Sequence, residues 1–416
     1  MRVLLFTDTL GDVNGVSRFI VNAADQATAG GHDLRVITST NFECPARGNI
    51  INFKPVLATK MPKYEHLELA LPPLVKMLRY VDDHQPDVIH ISTPGPVGLV
   101  GFIASRMVRA PIVGVYHTDF PAYIENLFGD EVLTSVASRF MRAFYAPFRS
   151  IFTRSDDYVE ALVGMGMTRE KILALMPGIR TEDFHPRFRD PSIWNGYGSK
   201  GSPVRILSVG RVSVEKNLPL LTKVWRAADA RLRAAGVEAE LVVVGDGPYR
   251  KEMEEQLRGS RVRFLGFRYG EELSRLYASS DVFVFPSITD TLGQVVMEAQ
   301  AAGIPVLVSD EGGPKEVVQD GRTGMVIDAG NARAWTDAIV EIASHAERRA
   351  AMGAAAHGFM QAFSMGRSFD HFWSVHEEAW VECLAARGLS PRGPMHRRPR
   401  VNGRHTPMPR PAAAAV

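Results

Sequence analysis

Cysteine and long apolar runs are both scarce in this 416-residue chain. Its two cysteines, Cys44 and Cys383, are too far apart to form a metal-binding or redox motif, so we expect neither a zinc site nor a disulfide framework. The longest nearly uncharged stretch, residues 91–104, contains prolines and glycines and is shorter than the ~20 residues that cross a bilayer. The apolar stretch after Met1 is too short for a signal peptide. These absences predict a cytoplasmic protein whose contact with a membrane is at most peripheral.

An excess of one charge is also lacking, since 48 Lys and Arg residues face 46 Asp and Glu residues. The segment 388–416 departs from this balance: it has no acid, and it has six prolines, an alanine run and six arginines, at positions 392, 397, 398, 400, 404 and 410. We expect it to be a disordered basic tail. The rest of the chain is net acidic, which does not favour nucleic-acid binding. No Asp-x-Asp triplet occurs, so we expect no metal ion bridging a diphosphate and no cofactor.

Short β-branched runs alternate with helical segments in both halves of the chain, which predicts parallel α/β sheets. The apolar runs are continuous rather than alternating, as in strands that helices cover on both faces. Between residues 183 and 203 a dense set of prolines and glycines interrupts the pattern and indicates a domain boundary. The sequence therefore predicts two doubly wound, Rossmann-like domains, at residues 1–190 and 200–365, and a helix over 366–387.

Loops that follow strands are where open α/β sheets bind ligands, and three such loops in the second domain carry suitable residues. In loop 210–217, Arg211 offers a bidentate fork and Lys216 a point charge, a combination that suits a diphosphate. Two unrelated surface cations are the alternative. Loop 309–316 is rich in glycine, which allows close approach of a ligand or simply forms a turn.

The third of these loops leads into a predicted helix. Thr291 is the expected N-cap of a helix that starts at Leu292, and the amides of Leu292 and Gly293 would then attract an anion. Asp290 and Glu298 are eight residues apart and suit hydroxyl groups at two ends of one ligand. The alternative is a helix N-terminal charge and a solvated glutamate.

A glycine-rich turn at residues 244–250 begins like a dinucleotide-binding fingerprint. However, Arg250 occupies the third glycine position, and no acid ends a neighbouring strand at the expected distance. We interpret this segment as a strand-to-helix turn and do not expect NAD to bind.

Taken in order, these loops resemble those of the retaining nucleotide-sugar glycosyltransferases of family 4, which have the GT-B fold. The resemblance extends over residues 1–385 and rests on segments 86–90, 116–119, 210–217, 245–248, 265–267, 290–306 and 312–318. It implies two Rossmann-like domains that face a cleft. The N-terminal domain would bind the acceptor, the C-terminal domain would bind the nucleotide sugar, and the last helix would cross back to the N-terminal domain.

The resemblance also implies roles for individual residues. The implied catalytic residues are His117, Asp290, Arg211 and Lys216. The implied donor-binding residues are Gly15, Gly210, Arg211, Lys216, Phe267, Arg268, Asp290, Leu292, Gly293, Glu298 and Glu316. Arg211 and Lys216 would hold the diphosphate, and His117 would face the transferred sugar. Glu298 would bind the ribose hydroxyls, Asp290 would hold the donor sugar, and the backbone of 267–268 would line the base pocket.

The implied activity is transfer of a hexosyl unit from a UDP- or GDP-sugar to an acceptor hydroxyl on a lipid or polysaccharide precursor, with retention. Segments 117–123 and 290–293 are most similar to glycolipid-forming members, such as sulfoquinovosyl-diacylglycerol synthases and mannosyltransferases. Two positions depart from the family: Asp290 stands where glutamate is usual, and Asn14 where paired glycines are common. Three other classes stay open, namely a GT-B sugar-nucleotide epimerase, a phosphorylase and a non-catalytic sugar-nucleotide-binding protein.

Residues 133–154 combine apolar side chains with four arginines, at positions 139, 142, 149 and 154. This pattern is typical of a helix that lies in a membrane interface. The alternative is that the apolar side chains pack against the core of the N-terminal domain.

Overall fold

The structure is a computed structural model that describes residues 1–10, 15–61, 64–117, 131–154, 156–198, 201–290 and 292–390. Asn14, Thr291 and the predicted tail from residue 391 lie outside the described residues. The chain divides into two compact units. Of the described residues, the first unit contains 1–176 and 366–390, and the second contains 177–365.

A parallel seven-stranded sheet forms the centre of the first unit. The strands of this unit are β1 (Arg2–Phe6), β2 (Asp33–Thr38), β3 (Ile50–Asn52), β4 (Leu57–Met61), β5 (Tyr64–Leu71), β6 (Val88–Ile91), β7 (Ile112–Tyr116), β8 (Ser150–Thr153) and β9 (Ile172–Ala174). The sheet has the order β3-β2-β1-β6-β7-β8-β9, while β4 and β5 pair as an antiparallel hairpin. The chain reverses its direction of winding between β1 and β6.

Helices cover both faces of this sheet. They are α1 (Gly15–Ala29), α2 (Leu74–His84), α3 (Pro96–Val108), α4 (Glu131–Tyr145), α5 (Asp156–Gly164) and the C-terminal helix (Met365–Ala385). Helices α2 to α5 contribute to the core on one face, and α1 and the C-terminal helix contribute to the core on the other. Cover on both faces explains why residues 3–6 of β1 and all of β7 are consecutive buried, largely apolar residues, and why β6 is buried throughout although it contains His90.

The C-terminal helix is anchored to the first unit by aromatic and imidazole side chains. Phe372 and Trp373 are buried in the core that α1 shares. His376 is fully buried, and its Nε2 atom lies 2.9 Å from Nδ1 of His90 on β6.

The second unit contains a parallel six-stranded sheet. Its strands are β10 (Val204–Val209), β11 (Ala239–Val244), β12 (Val262–Gly266), β13 (Val282–Phe285), β14 (Val306–Ser309) and β15 (Gly324–Ile327). The order β12-β11-β10-β13-β14-β15 is that of a dinucleotide-binding sheet, with its switch point between β10 and β13. Its helices are α6 (Ile193–Gly196), α7 (Leu218–Ala234), α8 (Arg250–Gln256), α9 (Gly270–Ala278), α10 (Gln294–Ala301), α11 (Ala332–Ser344) and α12 (Ala346–Met360).

The predicted alternation of strands and helices in two Rossmann-like halves is confirmed. The first unit ends at Met176 rather than at residue 190. The reason is that segment 177–198 packs with the second unit: Trp194 lies in its core and donates its indole N–H to the carbonyl of Ser279. No helix among the described residues is both long enough and apolar enough to span a membrane.

Candidate active site

The switch point of the second sheet brings two of the predicted residues together. Lys216 follows β10 and Asp290 follows β13, and these strands are neighbours in the sheet. The Nζ atom of Lys216 donates to both carboxylate oxygens of Asp290, at 2.7 and 2.9 Å. Both side chains are about one-quarter exposed, at 24% each. A cation and a carboxylate are therefore held at the position where open α/β sheets bind ligands.

Two further hydrogen bonds join the same loops. The side-chain amide of Asn217 donates to the carbonyl of Pro286 at 3.2 Å, and the hydroxyl of Thr289 donates to the carbonyl of Glu215 at 3.1 Å. Arg211 is two-thirds exposed, and its guanidinium lies 3.7 Å from the carboxylate of Glu215. We use the name second-sheet edge for loops 210–217, 286–290 and 309–316, which follow β10, β13 and β14.

The turn after β11 holds the first of these loops in place. A Cβ atom on Gly245 would lie 1.9 Å from the carbonyl oxygen of Gly210, and one on Gly247 would lie 2.4 Å from that of Val212. The amide of Val212 donates to the carbonyl of Asp246 at 3.0 Å. The segment interpreted as a plain strand-to-helix turn is thus a backbone contact that positions the loop before Lys216, and only glycine permits it.

The helix predicted to start at Leu292 starts two residues later. Helix α10 begins at Gln294, and its N-cap is Gly293 in the left-handed region, with φ 67°. Leu292 therefore precedes the helix, and Thr291, the predicted N-cap, lies outside the described residues. The turn packs on loop 309–316, because a Cβ atom on Gly293 would lie 2.8 Å from the ring of Pro314, and the amide of Gly313 donates to the carbonyl of Asp290 at 2.8 Å.

Glu298 is buried on α10, which excludes the alternative of a solvated glutamate. The hydroxyl of Tyr277, on α9, donates to its Oε2 atom at 3.0 Å. Burial, followed by the charge of Glu298, raises the pKa of Tyr277 well above its usual value, so the phenol stays a proton donor. The sequence analysis missed Tyr277, whose only signal is its place on a helix that packs against α10.

The remaining predicted donor residues lie on other loops of the second unit. Phe267 is exposed after β12, and its ring stacks on that of Tyr269 at 6.2 Å. Arg268 donates to the hydroxyl of Tyr197 at 3.1 Å and lies 3.2 Å from Glu272. Glu316 is half-buried in the short 3-10 helix Gly313–Val317 after β14.

The first unit contains the other two predicted residues. Gly15 is the first residue of α1, and a Cβ atom there would meet nothing within 4 Å. His117 directly follows β7, and its Nε2 atom lies 3.2 Å from the hydroxyl of Ser92, which directly follows β6. Burial, followed by the charge of Arg154, lowers the pKa of His117 to about 3. The imidazole is therefore neutral near pH 7.

Asp8 organises the switch point of the first sheet. It follows β1, and its carboxylate accepts hydrogen bonds from the hydroxyl of Thr93 at 2.6 Å and from the amides of Val97 and Gly98 at 2.7 and 3.3 Å. These contacts tie the end of β1 to the start of α3. We use the name first-sheet edge for Asp8, Ser92, His117 and Arg154, which follow β1, β6, β7 and β8. Among the described residues no group of three or more His, Cys, Asp or Glu side chains could hold a metal ion.

The sequence matches two protein-family profiles. The profile of glycosyl transferases group 1 matches residues 193–359, and the profile of glycosyltransferase family 4 matches residues 13–183. The first match lies within the second unit and contains the whole second-sheet edge.

Several curated proteins are similar over most of the chain. The sulfoquinovosyl transferase SQD2 of Arabidopsis thaliana is 32% identical over 331 residues, which cover 78% of this chain and 60% of that protein. The chain therefore spans less than two-thirds of the length of the plant protein. The GDP-mannose-dependent alpha-mannosyltransferase of Mycobacterium tuberculosis is 30% identical over 356 residues, which cover 84% of this chain and 90% of the relative.

Solved structures with the same fold include Anabaena HepE in complex with UDP, with a TM-score of 0.69 and 19% identity over 91% of this chain and 100% of that one. Another is WaaG, a glycosyltransferase involved in lipopolysaccharide biosynthesis, with a TM-score of 0.63 and 17% identity over 90% and 99% of the two chains. The identities to curated relatives, the family profiles and the two Rossmann-like halves agree. The chain belongs to glycosyltransferase family 4, has the GT-B fold and is an enzyme that transfers sugar from a nucleotide sugar.

Proposed function

We propose that the protein transfers a hexosyl unit from a UDP- or GDP-sugar to a hydroxyl of a lipid or saccharide acceptor, with retention at the anomeric carbon. The observation that carries this proposal is the Lys216–Asp290 pair at the switch point of the second sheet, with Arg211 on the same loop. The M. tuberculosis relative is named for GDP-mannose, and the Anabaena structure contains UDP. Both names support a nucleoside diphosphate donor.

The two cations act on the leaving group. As the bond between the anomeric carbon and the diphosphate oxygen breaks, its electron pair stays on the diphosphate, and negative charge grows there. Two of the three Nζ protons of Lys216 face Asp290, which leaves one for a phosphate oxygen, while Arg211 offers its fork from an exposed position. Cations held in place before the reaction stabilise the developing charge without reorganising.

The other residues bind the two ends of the donor. Glu298, held by Tyr277, would accept hydrogen bonds from the ribose hydroxyls, and the backbone of 267–268 would line the base pocket. Asp290 and the amides of Leu292 and Gly293 would hold the sugar, with Glu316 beside it. A carboxylate that Tyr277 fixes in one rotamer costs little entropy when it binds a ligand.

His117 and Gly15, in the first unit, are proposed to contact the transferred sugar and the donor. Because the imidazole of His117 is neutral, it presents one donor and one acceptor nitrogen rather than a charge. The motifs supply no carboxylate dedicated to nucleophilic attack, so we propose a same-face route: the acceptor hydroxyl attacks on the side from which the diphosphate leaves and passes its proton to that diphosphate.

A donor-turnover assay tests this function. The full-length enzyme is incubated with UDP-glucose, UDP-galactose or GDP-mannose, with and without vesicles that contain diacylglycerol, and in buffer with or without a metal chelator. We expect one nucleoside diphosphate to be released in proportion to the glycosylated lipid, at the same rate with chelator. Proton NMR of the product should show the anomeric configuration of the donor.

Other outcomes of this assay support the alternative classes. An epimerase would convert the sugar nucleotide without an acceptor. A phosphorylase would need inorganic phosphate, and a binding protein would turn nothing over. Any of these results contradicts the proposed transfer.

We further propose that the first unit contacts an anionic membrane surface through α4. The sequence left two alternatives for this segment, a membrane-interface helix or packing against the core, and each side of α4 fits one of them. On one side, Met141, Phe144 and Tyr145 are buried in the core. Its other side exposes Val132, Leu133, Val136 and Phe140, at 71, 47, 58 and 45%.

Neighbouring α3 extends this apolar surface. The ring of Phe102 on α3 stacks on Phe144 at 5.9 Å, and α3 exposes Leu99, Ile103 and Met107. Exposed cations border the surface, at Arg106, Arg139 and Arg142. Apolar side chains beside cations are the composition of interfacial helices.

Co-sedimentation with vesicles tests this contact. The wild type should pellet with vesicles that contain phosphatidylglycerol at low salt, and the bound fraction should fall with added salt. A Val136→Glu/Phe140→Glu variant should bind at least ~5-fold more weakly, because charge on the inserted face is costly. Leu389→Glu, at an exposed leucine outside α3 and α4, is the control, and equal binding by both variants would overturn the proposal.

A further inference from the structure

Arg154 occupies a position in the first unit that the family assignment does not explain. It directly follows β8, the strand that pairs with β7, and so it lies at the first-sheet edge beside His117. Its Cζ atom lies 5.7 Å from the centre of the Phe19 ring. The Nε atom is buried and has no hydrogen-bond partner among the described residues.

Some half-buried arginines of the chain pair with carboxylates, and Arg349 donates to the carbonyls of Ile342 and Ala343. Arg263 lies 2.8 Å from Glu240, and Arg250 lies 2.7 Å from Asp246. Burial alone lowers the pKa of Arg154 to about 10, with no carboxylate among the causes. The guanidinium stays positive near pH 7, and a desolvated charge without a counter-ion destabilises a fold unless a ligand compensates it. An unpaired cation of this kind at a ligand-binding edge is explained by an anion that binds there.

The groups beside Arg154 are uncharged, and the carboxylate of Asp8 at the same edge bonds Thr93, Val97 and Gly98. His117 is neutral, and its Nε2 atom shares a hydrogen bond with the hydroxyl of Ser92. The ring of Phe19 packs edge-on against the imidazole, with centroids 6.3 Å apart. Arg154, His117 and Ser92 directly follow three adjacent strands. Together they offer a planar cation, an imidazole and a hydroxyl to an anionic oxygen group. A guanidinium binds such a group through two parallel hydrogen bonds.

We propose that Arg154, with His117 and Ser92, forms a subsite for a phosphate, carboxylate or sulfonate group of a substrate. The inference rests on the proposed function and narrows it: one of the two sugar-transfer substrates carries a negative charge besides the donor diphosphate. That charge belongs either to the acceptor or to the transferred sugar. The recognition chemistry is the same in both cases.

Charged and neutral probes, used in an acceptor arm and a donor arm, distinguish these sources in calorimetric titrations of the full-length protein. In the acceptor arm, the protein is saturated with UDP or GDP, which occupies the second-sheet edge, and is titrated with inorganic phosphate, glycerol 1-phosphate or glycerol. In the donor arm, it is titrated with UDP-glucuronate or UDP-glucose, and with GDP-mannuronate or GDP-mannose. We expect the charged member to bind at least ~10-fold more tightly in one arm.

Arg154→Met should reduce that preference to ~2-fold or less. Arg187→Met is the matched control, because Arg187 also lies over a phenylalanine ring, at 4.8 Å from the centre of Phe188, but is exposed and belongs to the second unit. This control should keep the wild-type preference. Arg154→Lys, which keeps the charge and removes the planar fork, should give an intermediate preference and serves if Arg154→Met does not fold.

Equal binding of charged and neutral probes by the wild type in both arms would overturn the subsite. Retention of the full preference by Arg154→Met or Arg154→Lys would overturn it as well. Failure of the proposed function looks different, because UDP and GDP themselves would then not bind the wild type. The Arg154 variants should bind UDP or GDP within ~2-fold of the wild type, since Arg154 belongs to the first unit and the residues proposed to hold the base, the ribose and the diphosphate belong to the second.

Discussion

The two sheet edges of this protein carry their positive charges in opposite ways. At the second-sheet edge the two cations proposed to hold the diphosphate each have an acid beside them, since Lys216 bonds Asp290 and Arg211 lies near Glu215. At the first-sheet edge the carboxylate of Asp8 bonds Thr93, Val97 and Gly98, whereas Arg154 lies beside the uncharged imidazole of His117 and the ring of Phe19. Both edges follow parallel strands of Rossmann-like sheets, so the fold does not dictate this difference.

The difference shows two ways of preparing a site for an anion. A cation paired with a carboxylate is fixed in position, and a ligand shares it with that carboxylate. An unpaired cation keeps its full attraction, but the protein bears the desolvation cost until a ligand binds. The first arrangement suits a diphosphate whose charge changes during the reaction, and the second suits a group whose charge is constant.

The largest expected effect concerns the backbone beneath the second-sheet edge. Gly245→Ala places a Cβ atom within 1.9 Å of the carbonyl oxygen of Gly210, at a φ of 126°. We expect a loss of at least about 3 kcal/mol in the free energy of unfolding, because backbone on one side must move. Gly236→Ala also changes a glycine with a positive φ, 70°, but a Cβ atom there would meet nothing within 4 Å, and it should lose only about 1–2 kcal/mol. Urea denaturation measures both, and equal losses would show that the contact is not tight.

The next effect concerns the cation at the switch point. Lys216→Met removes one phosphate contact and leaves Asp290 without its partner, so kcat/KM for the donor should fall about 100-fold, or about 2.7 kcal/mol. Lys223→Met changes an exposed lysine on α7 and should stay within about 2-fold. Steady-state kinetics with the nucleotide sugar identified in the turnover assay measures kcat/KM for both variants. A normal kcat/KM for Lys216→Met would contradict the assignment of Lys216 to the donor site.

A third prediction concerns the stability of the first unit in acid. Burial lowers the pKa of His376 to about 4 and that of His90 well below its usual value. The unfolded chain therefore takes up these protons first, and stability falls as the pH falls from about 6.5 towards 4. For His376 alone the loss between pH 7 and pH 5 is about 2 kcal/mol.

Urea denaturation at pH 7, 6 and 5 measures this slope. His376→Gln should flatten the dependence of unfolding free energy on pH, whereas His345→Gln, at an exposed histidine of the second unit, should leave it unchanged. If unfolding free energy depends on pH equally in both variants, then His376 does not cause the loss of stability in acid.

The smallest effect concerns the hydrogen bond to Glu298. Tyr277→Phe removes a donor to a buried carboxylate, so the KM for the donor should rise about 10-fold, or about 1.4 kcal/mol, with little change in kcat. Tyr249→Phe is the control, since its hydroxyl donates to Gln256 at 3.3 Å. If kcat falls while KM stays constant, Tyr277 acts on the transition state rather than on ribose binding.

The fold could be predicted from the sequence because continuous apolar strands and intervening helices have distinct periodicities. The cationic and acidic loop residues could also be identified, since each follows a strand. The hydrogen bond between Lys216 and Asp290 could not be predicted, because it depends on β10 and β13 being neighbours in the sheet although 74 residues separate the two partners. The importance of Gly245 was missed for the same reason: its partner, Gly210, lies on another strand end.

Two predictions were wrong because a local signal competed with tertiary contacts. Thr291 is a favoured N-cap residue, yet α10 starts at Gln294, where the left-handed Gly293 packs on Pro314. The loop formers at 183–203 are real, but Trp194 joins that segment to the second unit and moves the boundary to residue 176. For residues 133–154 both alternatives hold in part, because α4 packs one apolar face against the core and exposes the other.

Calorimetric binding of nucleotide sugars to the wild type and to an Arg211→Ala/Lys216→Ala variant tests the central claim most directly. The account predicts that a UDP- or GDP-sugar binds the wild type without added metal, that NAD does not bind, and that the double variant binds the sugar nucleotide at least ~10-fold more weakly. Equal affinity for the two proteins, or wild-type binding of NAD alone, would contradict the assignment of the second-sheet edge as the diphosphate site.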